Sequence, residues 1–154
     1  AWAGGWISYT PTWTAANDDP AINDGTITAR YRRIGRKAIA LRIDLTFGPG
    51  TDGGAGAWSI GLPAPAHATG RQALTCYAIL GSPTLWEFSG TGVIEAGAAN
   101  ITPRLPESVS STVMKRVRNA DSTGSGGTGI PLRQGEYTYA GGAHLVLEGI
   151  VELA

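Results

Sequence analysis

From Ile39 to Phe47 every second residue is apolar: Ile39, Leu41, Ile43, Leu45 and Phe47 alternate with Ala40, Arg42, Asp44 and Thr46. A period of two marks a strand with one face in a core and the other in water, whereas a helix repeats every three or four residues. The preceding stretch, Thr26 to Arg33, alternates in the same way, with Ile27, Ala29 and Tyr31 as its apolar set. A two-residue Gly35-Arg36 turn would set Arg32 against Ile39 and Arg30 against Leu41, mixing charge into the core. The pattern therefore predicts a hairpin with an odd-numbered loop, Arg33-Ile34-Gly35, whose last residue takes left-handed geometry. Ile27, Ala29 and Tyr31 then share the inner face with Leu41, Ile43 and Leu45. Arg30, Arg32, Arg36 and Arg42 fall outside with Thr26 and Thr28.

Other short strand candidates follow at turn spacing: "AWSIGLP", "RQALTCYAIL", "TLWEFSGTGVIEAG", "NITPRLP", "STVMKRV" and "HLVLEGIVEL". Loops rich in glycine and Asx residues separate them, among them "TAANDDPAINDG", "GPGTDGGAG" and "NADSTGSGGTG". No amphipathic helix of three turns is visible. The fold class this predicts is all-β, an antiparallel β-sandwich of jelly-roll type. Residues 1–14, with Trp2, Trp6 and Trp13, read as an extended lead-in from an upstream stalk or domain, and 15–154 as a single β-sandwich domain. In the last strand Leu145, Leu147, Val151 and Leu153 serve the interior. Val146 and Ile150 point the other way and are candidates for an oligomer contact.

The 154 residues suffice for one core without a disulfide, and the lone cysteine, Cys76, lies in a strand as a small core residue. Glycine is frequent, at 23 residues with 9 prolines, as short strands and many turns require. Ala1 stands where a complete chain would have methionine, so an upstream segment is expected. There is no apolar run long enough for a membrane span and no signal-peptide pattern, so no membrane insertion is expected.

Charge changes the functional picture. Arg30, Arg32, Arg33, Arg36, Lys37 and Arg42 are half of the 12 basic residues, yet the chain's formal net charge is +0. A neutral chain lacks the field that gathers nucleic acid, and the only aromatic interleaved in this stretch, Tyr31, points inward. The cluster reads as the wet side of a hairpin, with an anion-binding face for phosphate, teichoic acid or sulfated glycan as the functional alternative. Catalysis finds no support: there is no nucleophile elbow, no carboxylate pair stands out among Glu87, Glu95, Glu136, Glu148 and Glu152, and His67 and His144 lie in a loop and at a strand start. The oxygen donors Asn17, Asp18, Asp19, Asn23 and Asp24 suit calcium in kind but lack EF-hand spacing, and Asx residues in loops mostly cap turns. No catalytic residue, metal ligand or cofactor is expected. Exposed aromatics are the better chemistry, because sugars stack on them. Trp86 with Phe88, and Tyr137 with Tyr139, lie two apart on one strand face, making Trp86, Tyr137 and Tyr139 the candidate ligand-binding residues.

At "YTPTWT" (9–14), "GTITARYRRIGRKAIALRIDLTFG" (25–48) and "WSIGLP" (58–63) the chain resembles a domain of bacteriophage minor tail proteins and tail fibres, of the kind found in phages of actinobacteria. "NITPRLP" and "RNADSTGSGGTGIPL" extend the resemblance over most of the chain. It implies a homotrimeric β domain in the virion tail, among other phage tail proteins, taking part in receptor binding and host attachment through a host-surface glycan. The alternatives are a carbohydrate-binding module of a secreted bacterial enzyme, a purely structural fibre or spacer domain, and a depolymerase. The resemblance carries no binding residue over.

Overall fold

The computed structural model describes residues 4–54, 56–80, 86–106, 114–119, 129–131 and 142–154, with Leu80, Trp86, Pro106, 114–119 and 129–131 described as backbone only. Among the described residues there are eleven strands and no helix: β1 (Ile7–Tyr9), β2 (Trp13–Ala15), β3 (Thr26–Arg33), β4 (Ala38–Thr46), β5 (Gly56–Gly61), β6 (Gln72–Leu80), β7 (Trp86–Ile94), β8 (Asn100–Pro106), β9 (Met114–Asn119), β10 (Gly129–Pro131) and β11 (His144–Glu152). The chain is all-β, as its alternation predicts.

The strands form one continuous sheet in the order β1-β3-β4-β11-β6-β7-β8-β5-β9-β10, with β2 also on β5 and β8 also on β9. Every pairing is antiparallel except β9 with β10. The sheet curls into a trough. Phe47, just after β4, stacks on Trp58 of β5, centroids 5.8 Å apart, although several strands separate them in the sheet. The inner face carries the core: Ile39, Leu41, Ile43 and Leu45 from β4, Leu145, Leu147 and Val151 from β11, Leu74, Cys76 and Ala78 from β6, and Trp58 and Ile60 from β5. Burying each of the larger side chains contributes about 1.5–3 kcal/mol.

Of the residues 1–14 read as a lead-in, those from 7 onward are built into this sheet. β1 pairs with β3 at one margin and β2 pairs with β5 at the far flank, so Thr10-Pro11-Thr12 carries the chain across. Tyr9 fastens the crossing: its hydroxyl donates to the Gly61 carbonyl at 3.1 Å and its ring meets Tyr31 edge-on at 5.9 Å.

The β3–β4 hairpin keeps the predicted faces but not the predicted loop. Tyr31 pairs with Leu41, Ala29 with Ile43 and Ile27 with Leu45. The Ile34 amide donates to the Ala38 carbonyl at 3.0 Å, so the loop is Gly35-Arg36-Lys37. Gly35 has no positive φ, which corrects the left-handed geometry expected there. The physical reason is the longer ladder: the observed register gives three of the inner residues of β4 an apolar partner, and the loop Arg33-Ile34-Gly35 would give two. Both loops have odd length, so Arg30 and Arg32 remain outside and exposed, and Tyr31 is half-buried against the core.

A candidate ligand-binding face

The outer face of the trough can be read across the sheet from the pairings. Ser8 of β1 stands beside Arg30 of β3, Arg30 beside Arg42 of β4, Arg42 beside Glu148 of β11, and Glu148 beside Thr75 of β6. A parallel row runs from Thr28 through Asp44 and Val146 to Tyr77. Alternation within each strand places all these residues on the side away from the core.

Electrostatics on this face is uneven. Arg42 is well neutralised: its guanidinium lies 2.8 Å from Glu148 and 3.6 Å from Asp44. Asp44 also faces His144 at 3.7 Å, and His144 Nδ1 is 3.0 Å from the Thr46 hydroxyl. Among the described residues no carboxylate is ion-paired with Arg30 or Arg32. Both guanidiniums instead lie over the indole of Trp6, at 4.9 and 5.3 Å from its centroid. Trp6 remains 42% exposed. An open depression of about 340 Å³ is lined by Ser8, Thr28, Ala29, Arg30, Arg42 and Asp44.

An aromatic therefore does reach the basic stretch, from outside it. The "WISY" alternation of residues 6–9, with Trp6 and Ser8 on one side and Ile7 and Tyr9 on the other, was the available signal. It became informative only once β1 had a partner.

Other sequence candidates are distributed elsewhere. Tyr137 and Tyr139 lie outside the described residues. Trp86 opens β7 opposite Leu80, described as backbone only, while Phe88 is buried in the core at 7% exposure. Val146 is half-buried on the outer face and Ile150, opposite Ala40, is 63% exposed. Cys76 is buried in the core as expected, and burial pushes its thiol up to about 12.

The polar groups weighed for chemistry hold local structure. Asp24 accepts the Gly50 amide with both carboxylate oxygens, at 2.9 and 3.0 Å, and Asn23 donates to the Gly50 carbonyl at 2.7 Å. Asp19 accepts the Ala15 amide at 3.2 Å. Glu95 is ion-paired with Arg71 at 2.9 Å and Arg104 at 3.9 Å, and His67 Nδ1 lies 2.6 Å from the Thr69 hydroxyl. Among the described residues no group of three or more His, Cys, Asp or Glu side chains is placed to hold a metal ion.

No known family, curated protein or solved structure matches this chain.

Proposed function

We propose that the chain is a domain of a phage tail fibre or minor tail protein that takes part in attachment to the host cell surface by binding a cell-wall glycan. The observation that carries this reading is where the motif residues sit. Tyr9 and Trp13 of "YTPTWT", Tyr31 of the hairpin, and Trp58 of "WSIGLP" come together as one construction: Tyr9 packs on Tyr31, and Trp13 on Trp58. The motifs thus describe how the trough is closed by its N-terminal segment. That leaves the outer face, which the motifs do not specify, free to carry a ligand site. No nucleophile, base or carboxylate pair enters this reading, which is of a binding domain without a cofactor.

The finer architecture belongs to the same proposal: the two flanks of the trough pack as the layers of a jelly-roll-like sandwich, and three copies assemble about Val146 and Ile150. The exposure of Ile150 on a sheet face supports the assembly, since a large apolar side chain there gains from being covered.

A glycan array of bacterial surface polysaccharides tests the function. Selective binding to wall glycans, with no shortening of the bound chains on prolonged incubation, is the expected result. A blank array would leave a spacer domain, and shortened chains would leave a depolymerase.

A further inference from the structure

Arg30 and Arg42 are direct partners across the β3–β4 ladder. Like charges placed opposite one another destabilise a sheet, and both are long side chains on the wet face where many residues would serve. The two carboxylates nearby, Asp44 and Glu148, both engage Arg42. Arg30 and Arg32 converge instead on Trp6, and among the described residues no carboxylate neutralises their charge. With the charge of Arg42 offset by Glu148 and Asp44, Arg30 and Arg32 are the guanidiniums an anion would serve.

We propose that the depression lined by Ser8, Thr28, Arg30, Arg42 and Asp44 binds an acidic saccharide, a sugar unit bearing a carboxylate or a phosphate. This deepens, and rests on, the reading of the chain as a glycan-binding attachment domain. The acid group takes the Arg30 guanidinium, whose fork matches two anionic oxygens. The Trp6 indole is outside the lining; it lies against the Arg30 guanidinium that is part of it and holds that fork in place. Ser8 and Thr28 supply hydroxyls, and Asp44 supplies an acceptor for sugar hydroxyl groups. The volume of about 340 Å³ lies at the small end of ligand pockets, which run from about 300 Å³ upward, and suits one or two sugar units. A nucleic acid fits less well, because one aromatic serves one base and the net charge of +0 provides no long-range attraction.

Calorimetric titration of the whole chain tests this with trigalacturonate, poly(glycerol phosphate), maltotriose and an oligothymidylate as probes. One of the first two should bind, which identifies the acid group, and maltotriose should not. Trp6→Ala and Arg30→Ala should each weaken that binding at least about tenfold, the scale of one charge-assisted contact. Both variants should keep the wild-type urea midpoint to within the small shift of an exposed site. Arg30→Lys should keep only part of the affinity, because the ammonium lacks the fork. Two flat acidic titrations, undiminished binding by both variants, equal binding of maltotriose, or tighter binding of the oligothymidylate each overturn the proposal. A glycan array positive for neutral glycans beside flat titrations removes this site and leaves the attachment reading standing. Blank results in both remove both.

Discussion

Trp13 and Trp58 meet edge to face, with ring centroids 5.1 Å apart and planes at 88°. The contact joins β2 to the strand that receives it and, with Phe47, closes one end of the trough. The two indoles differ in one respect. Trp58 Nε1 donates to the Gly53 carbonyl at 2.8 Å, whereas Trp13 Nε1 is buried with no hydrogen-bond partner among the described residues.

That difference predicts unequal costs for one substitution. Trp58→Phe removes the donor from a buried carbonyl and leaves a void, and Trp13→Phe removes a donor that has no partner among the described residues. Trp58→Phe should therefore lose at least about 1 kcal/mol more than Trp13→Phe, the scale of an unmade buried hydrogen bond. Urea unfolding of the two variants measures this, and equal losses would contradict the assigned hydrogen bond.

Gly90 and Gly35 should respond oppositely to alanine. A Cβ on Gly90 would collide with the Arg104 carbonyl of the neighbouring strand, so Gly90→Ala must push β8 away from β7, at about 1–3 kcal/mol or more. At Gly35 the nearest atom to a new Cβ is that of Ala38, at 3.8 Å, and the backbone is not left-handed. Gly35→Ala should be neutral or stabilise by up to about 1 kcal/mol through the unfolded chain. Thermal unfolding of both checks the pair, and a destabilised Gly35→Ala would restore the left-handed loop.

How much of this was legible in the sequence is a question about range. Alternation in 39–47 and in 144–153 assigned faces correctly: Leu145, Leu147 and Val151 are buried and Ile150 is exposed. Face assignment needs only neighbours within a strand. Partners are another matter, since β11 inserts between β4 and β6, and Trp13 finds Ile60 far along the chain. Nothing local specifies those pairings. The hairpin loop was missed because parity fixes faces but permits several odd loops, and ladder length then chose among them. The juxtaposition of Trp6 with Arg30 was missed because it requires the β1–β3 pairing first.

The buried thiol gives a pH signature. The Cys76 pKa rises on folding from an ordinary 9.0 to about 12, by desolvation. The unfolded thiol therefore loses its proton first, so this contribution to stability is intact below pH 9 and is lost as pH rises toward 12. Tyr9, also raised by burial, acts in the same direction. Cys76→Ala lacks the thiol term, so its deficit in urea midpoint relative to wild type should shrink between about pH 8 and pH 11. A constant deficit would mean the thiol is solvated.

Ile150 bears on assembly. Light scattering at micromolar concentration should give a particle near three times the 15.9 kDa chain mass. Ile150→Asp should dissociate it, by placing an unpaired charge in a dry contact. A wild-type particle of one chain mass rules out the trimer, and a stable Ile150→Asp trimer moves the contact elsewhere.

The most direct test of attachment is sedimentation with purified actinobacterial cell walls. The wild-type chain should be depleted from the supernatant by walls and released by soluble wall glycan. A wild-type chain left wholly in the supernatant, whatever the wall source, would contradict the account.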